Sequence, residues 1–262
     1  MAWWQALILG ILQGLTEFLP VSSSGHLALA QMIFDRIGTG FQQPGVVFDA
    51  MLHVGTALAV VWAERYEIRR WLTTGDGRKM LFLLIVGTGA TAIFAFPLRD
   101  LAKGAFDNPV AVGVALLITG AVVLSTRFIK GGSTIEASTT LRHAAIIGLI
   151  QGLAIFPGIS RSGSTIMAGL GSGLDRTWAA RFSFLLSVPA IAGATLVELI
   201  SEREALVASG AGFYFSVLLG GLAAAVTGYF ALRLVIRMVS SQVFDRFAWY
   251  CIPLGIIVLL SF

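Results

Sequence analysis

Glu17 follows Gln13 by four residues, so one helical face aims an amide and a carboxylate at the same place. Behind Pro20 come Ser22, Ser23 and Ser24, and then His26. The plan returns further along with Pro157, Gly158, Ser160, Arg161, Ser162, Gly163 and Thr165. These residues supply a hydroxyl nucleophile in Ser23, a base in Glu17 or His26, and a planar guanidinium fork in Arg161. Hydroxyls of Ser22, Ser23, Ser160, Ser162 and Thr165, with N–H groups at two helix starts, suit phosphate oxygens. Gly158 and Gly163 let backbone approach the ligand. A nucleophile, a base and an anion clamp in one place point to hydrolysis of a phosphate-bearing ligand. A lipid or anion transporter, or flippase, clusters polar groups in the same way and is the alternative.

The elements that must position these groups are visible as a repeat. QGLTEFLPVSSSGH (Gln13 to His26) and QGLAIFPGISRSGS (Gln151 to Ser164) align without a gap and share Gln, Gly, Leu, Phe, Ser, Ser and Gly. Each copy is an apolar helical run, a proline break, and a Ser/Gly-rich start to a second run. In a membrane that pattern reads as a broken or re-entrant helix at a buried polar site. The copies are specialised: Glu17 and His26 are answered by Ile155 and Ser164, and Ser23 by Arg161. Ser22 and Ser160 also read as N-caps, and Gln13 and Gln151 also read as links between the halves.

Composition sets the solvent. Of 262 residues 56% are hydrophobic and 12% charged, and the mean hydropathy is +0.86. A soluble core does not need that much apolar surface. The expected fold is an all-α integral membrane protein with spans at 48–64, 79–97, 109–126, 178–198, 213–236 and 246–262, plus hairpins at 3–37 and 141–173. The chain reads as a single membrane domain, 1–262, with repeat one at about 1–135 and repeat two at about 136–262. The first run lacks a basic flank and holds Gln13 and Glu17, so it is expected in the mature fold rather than as a signal peptide.

The net charge of +4 does not indicate a nucleic-acid partner, because the positions of the charges matter more than their sum. If both hairpins return to the side they enter from, loops at 65–79, 127–142, 176–181 and 233–246 share one side and carry 13 of the 18 Lys and Arg residues. The positive-inside rule makes that side cytoplasmic, with both termini outside and the two halves inverted.

Other features read more plainly. Asp49 and His53, four apart, suggest a local hydrogen bond or an extension of the site. Trp3, Trp4, Trp62, Trp71, Trp178 and Trp249 fall near span or hairpin ends and are expected as interfacial anchors. Cys251 is the only cysteine, which excludes a disulfide framework and leaves a packing role. Gly169 to Gly173 reads as a close-packed helix end rather than a nucleotide loop, for want of the GK[ST] ending. Segments 73–79 and 130–139 read as short solvated loops.

The two motifs, Gln13 and Glu17 followed by PVSSSGH, and then PGISRSGST, resemble the signatures of the undecaprenyl-diphosphate phosphatase family of the bacitracin-resistance type. The resemblance covers both hairpins and, less specifically, the span pattern of the whole chain. It implies a bacterial inner-membrane enzyme that hydrolyses undecaprenyl diphosphate and recycles the lipid carrier for cell-wall synthesis. It places Glu17, Ser23, His26 and Arg161 at the active site and Ser160, Ser162 and Thr165 around the diphosphate. It also implies help from a divalent cation, Mg2+ or Ca2+, with Glu17 as the protein ligand. Gln13 stands where the family pattern is commonly acidic, which weakens any two-carboxylate metal site. Attack by Ser23, by His26 or by water remains open at this level, and a homodimer is compatible with the sequence. A type 2 phosphatidic acid phosphatase, suggested by Ser24 to His26, ranks lower because no histidine follows Ser160.

Overall fold

In the computed structural model, residues 2–37, 45–74 and 77–261 are described. The chain is built from helices: α1 (Trp3–Phe18), α2 (Ser23–Arg36), α3 (Gly45–Ala63), α4 (Arg65–Thr73), α5 (Gly77–Ala105) and α6 (Pro109–Ser125) in the first half. The second half holds α7 (Leu141–Leu153), α8 (Arg161–Gly171), α9 (Arg176–Ser201), α10 (Arg203–Ala208), α11 (Ala211–Ser240) and α12 (Ala248–Ser261). Among the described residues six helical stretches, Gly45–Ala63, Gly77–Ala105, Pro109–Phe128, Arg176–Ser201, Ala211–Ser240 and Phe244–Ser261, are long and apolar enough to cross a bilayer. They coincide with the six expected spans. The pairs α1–α2 and α7–α8 are the expected helix–break–helix units.

Why the two pairs break follows from their residues. Pro20 cannot continue α1, whose C-cap Leu19 is extended, and Ser22 turns the chain at φ 69° before capping α2. In the second pair the turn is made by Gly158 at φ 98°. There a Cβ would lie 2.5 Å from Ala115 Cβ and 2.6 Å from Val112 O, so only glycine fits.

The halves pack by exchange. α1 lies along α11 and α7 lies along α5, while α3 meets α9 and α6 meets α12. The approach is close enough that a Cβ at Gly10 would strike the Gly220 carbonyl, and one at Gly148 would strike the Gly87 carbonyl. Small residues at helix contacts are how membrane helices gain van der Waals contact where lipid offers no hydrophobic driving force. Gln151 bonds Thr91 Oγ1 of α5 at 3.0 Å and so does link the halves. The apolar core gathers Phe18, Phe182, Phe184, Ile147, Ile166 and Leu186 around the two breaks. The outer faces carry exposed Leu58, Ile85, Ile93 and Phe230, as lipid-facing surfaces do.

One expectation is corrected. Trp71 and Trp178 are 3% and 5% exposed, and their indole N–H groups donate to Glu136 and Thr139 at 2.7 Å. They fasten the 130–139 segment to the bundle instead of anchoring in an interface, while Trp3, Trp62 and Trp249 are exposed as expected. That segment is mostly exposed, as expected of a solvated loop, with Thr139 buried and Thr134 paired with Leu174 in an isolated bridge; residues 75–76 of the other expected loop lie outside the described residues. Cys251 is fully buried and its Sγ contacts Pro20 O at 3.3 Å, beneath the first break.

Candidate active site

The two breaks meet. Gly158 N donates to Ser22 Oγ at 3.0 Å, and Ser162 Oγ donates to Leu19 O at 3.2 Å. Each hairpin therefore satisfies polar groups of the other, as a break buried away from water requires.

Glu17 stands at this junction, 6% exposed. One carboxylate oxygen, Oε1, receives Arg161 Nη2 at 2.5 Å. The other, Oε2, receives Ser23 Oγ at 2.5 Å and Gln13 Nε2 at 2.8 Å. A carboxylate only accepts, so the nitrogen of Gln13 must face it. The second N–H of that amide points to His53 Nδ1 at 2.7 Å. An amide N–H can only donate, so this Nδ1 accepts and the His53 proton sits on Nε2. His53 Nδ1 also lies 3.3 Å from Glu17 Oε2.

Two polar atoms in this cluster are buried with no partner among the described residues: Gln13 Oε1, an acceptor, and Arg161 Nη1, a donor. Buried polar groups are nearly always paired, so two such atoms beside one carboxylate mark where a ligand belongs. The donor suits a phosphoryl oxygen and the acceptor suits a cation or a hydroxyl.

Around the pair, the hydroxyls divide by task. Ser22 Oγ accepts from Gly25 N at 3.2 Å and Ser160 Oγ from Gly163 N at 3.1 Å, so both are N-caps as well as site residues. Ser160 Oγ lies 3.2 Å from Ser162 Oγ. Thr165 Oγ1 is turned to Arg161 O at 2.8 Å and Ser183 Oγ at 2.5 Å, which ties α8 to α9 rather than facing Glu17. Gly163 is packed against protein: a Cβ there would meet Val123, Pro20 and Ser160 between 3.1 and 3.2 Å. Gly158 thus allows close packing on α6, and Gly163 allows the approach of Val123 and Pro20.

His26 is placed apart from Glu17. Its Nδ1 lies 2.7 Å from Ser22 O, which can only accept, so Nδ1 carries the proton. In the neutral ring Nε2 then accepts from Tyr250 Oη at 2.7 Å, and the two rings stack with 5.7 Å between centroids. Sequence reasoning missed Tyr250 and favoured a local Asp49–His53 hydrogen bond. The structure instead gives Asp49 to Gln31, at 3.1 and 3.2 Å, and turns His53 into the site. The available signal was the four-residue spacing that Asp49 and His53 share with Gln13 and Glu17.

Among the described residues no group of three or more His, Cys, Asp and Glu stands together to hold a metal. What the site offers a cation is Glu17 and the unpartnered Gln13 Oε1, a set that fits an ion taking most of its ligands from substrate and water.

Fold and site together define a polytopic helical membrane protein with a buried Ser–Glu–Arg centre at the meeting of two broken helices. The family model for bacitracin resistance protein BacA matches residues 6–257, and the chain belongs to this family. Among similar proteins, the undecaprenyl-diphosphatase of Desulfatibacillum aliphaticivorans is 40% identical over 283 residues, covering 100% of this chain and 99% of that one. That of Desulfosudis oleivorans is 42% identical over 270 residues, covering 96% and 95%. That of Methanosphaera stadtmanae is 38% identical over 277 residues, covering 97% and 96%.

Proposed function

We infer that the protein is an undecaprenyl-diphosphatase: it hydrolyses undecaprenyl diphosphate to undecaprenyl phosphate and inorganic phosphate, in the membrane. Family membership and full-length relatives of that name carry the activity. Nothing favours the transporter.

The roles of the residues rest on the contact of Ser23 with Glu17, and on Arg161 holding Glu17 with one nitrogen while the other is unpartnered. In this reading Ser23 Oγ attacks the terminal phosphorus and passes its proton to Glu17 Oε2. The anhydride P–O bond breaks and its electrons leave with undecaprenyl phosphate. That phosphomonoester is a good leaving group and departs without an acid, which the neutral His26, its one proton donated to Ser22 O, does not need to supply. Water then cleaves the phosphoserine: Glu17 returns its first proton to the departing Ser23 Oγ, takes the water proton, and gives that up with the released phosphate. Arg161 Nη1 and the α8 N-terminus stabilise the charge on the transferring phosphoryl. Ser160 and Ser162 flank it, and Thr165 acts indirectly by fixing α8.

A divalent cation, Mg2+ or Ca2+, is part of this proposal, held by Glu17 and Gln13 Oε1; when bound it neutralises diphosphate charge. Both hairpins belong to one chain, so the chemistry does not require a homodimer. The reciprocal packing of the halves and the concentration of Lys and Arg at one end support an inverted repeat with both termini outside. Accessibility of single cysteines at either terminus to an impermeant thiol reagent on intact cells tests that orientation.

The function is tested by supplying undecaprenyl diphosphate, labelled in its terminal phosphate, to purified protein and quenching in acid. Label recovered on Ser23 and then as free phosphate is expected. Label trapped on another residue refutes the serine step, and no phosphate release from folded protein refutes the activity.

A further inference from the structure

A cavity of about 290 Å³ lies at the basic end of the molecule, away from the Glu17 and Arg161 centre. It opens where the C-terminal end of α3, the start of α9 and the last turns of α11 come together, and Glu64, Arg181, Leu232, Arg233, Ile236 and Arg237 line it. Arg181 is committed, because its guanidinium grips the Glu64 carboxylate through Nε at 3.1 Å and through Nη2 more closely. Glu67 adds a second carboxylate 3.6 Å from the same nitrogen. Glu64 is thus neutralised within the cavity.

Arg233 and Arg237 are not committed in this way. Arg233 makes one long contact, Nη1 to Tyr229 Oη at 3.3 Å, with its guanidinium carbon 5.8 Å from the Tyr229 ring centre. No carboxylate within salt-bridge distance of either is found among the described residues. They are four apart, so both heads present on one face of α11. Continuing that face towards the helix middle gives Phe230 and Val226, which are 66% and 58% exposed. One stripe of α11 therefore runs from lipid-facing apolar side chains to two guanidinium groups at a cavity, neither paired with a carboxylate among the described residues.

We propose that this cavity binds the phosphodiester headgroup of an anionic phospholipid, with its phosphate on Arg233 and Arg237 and an acyl chain along Phe230 and Val226. Arginine forks match phosphate oxygens. The apolar stripe decides for a lipid over free phosphate, which would leave it unused. The proposal is independent of the hydrolytic function.

The test is native mass spectrometry of the full-length protein in detergent, offered phosphatidylglycerol and phosphatidylcholine in equal amounts. Wild type is expected to retain phosphatidylglycerol preferentially. Each arginine near an anionic headgroup is worth a factor of about five, so Arg233→Gln with Arg237→Gln should lower that preference roughly 25-fold. Arg69→Gln with Arg246→Gln, at the same end but outside the cavity, should leave it unchanged. Should the first pair fail to fold, Arg237→Gln alone is expected to lose roughly fivefold. Equal retention of the two lipids, equal loss in the control pair, or displacement of phosphatidylglycerol by millimolar inorganic phosphate would each overturn the assignment.

Discussion

Replacing Gln13 by glutamate changes one group in the site and almost no volume. In the structure the Gln13 amide donates to Glu17 Oε2 at 2.8 Å and to His53 Nδ1 at 2.7 Å. The variant loses both donors and sets a second carboxylate oxygen where the nitrogen stood. Two unit charges at 2.8 Å repel by about 6 kcal/mol at an effective dielectric constant near 20. Even if side-chain relaxation relieves two thirds of this, roughly 2 kcal/mol remains, a factor of about thirty in an equilibrium constant. A divalent cation between the carboxylates removes that penalty. Gln13→Glu should therefore lower the Mg2+ concentration for half-maximal phosphate release about thirtyfold, with activity in EDTA below that of wild type. The assay is phosphate release from undecaprenyl diphosphate in micelles across a Mg2+ titration. Gln13→Leu, which removes the donors and adds no charge, should lose activity without tighter cation dependence. An unchanged or raised half-saturating Mg2+ concentration in Gln13→Glu, or a wild type indifferent to Mg2+, would refute the assignment of cation binding to Gln13 and Glu17.

Arg161→Lys keeps the charge but loses the fork that spans Glu17 and the phosphoryl group, and should lower kcat by about 10²–10³ in steady-state phosphate release. His53→Gln can still offer an acceptor to the Gln13 amide and should stay within about tenfold of wild type. His53→Leu leaves that N–H unpaired and should cost about 1–3 kcal/mol, read as a loss in kcat/KM of roughly 10- to 100-fold. Gly158→Ala demands a left-handed backbone and collides with Ala115 and Val112. It should destabilise by about 2–5 kcal/mol and lower the thermal unfolding midpoint in detergent by roughly 5–15 °C.

The parts of this protein that were legible from sequence are those encoded locally. Apolar runs mark the six spans because bilayer thickness fixes their length. The repeated proline and serines mark the breaks because a helix must stop and be re-capped there. Convergence of Glu17, Ser23 and Arg161 could be expected because unpaired charges do not survive alone in hydrocarbon. What escaped depends on how distant helices face each other. His53 shares a helical face with Asp49, yet α3 is rotated so that Asp49 meets Gln31 and His53 meets Gln13. His26 lies in the first turn of α2, and only the packing of α12 gives it Tyr250. Trp71 and Trp178 sit at helix ends like the other tryptophans, but polar partners on the 130–139 segment draw them inward.

The central claim is that a carboxylate from the first hairpin and a guanidinium from the second act as one unit on the same phosphoryl group. The direct measurement is a double-mutant cycle in single-turnover hydrolysis of undecaprenyl diphosphate, with Glu17→Gln, Arg161→Ala and the two combined, each verified as folded. The account predicts that each single change lowers the rate by at least about 10³ and that the double change costs little more than either. Independent, multiplicative losses, or near-normal turnover in either single variant, would contradict it.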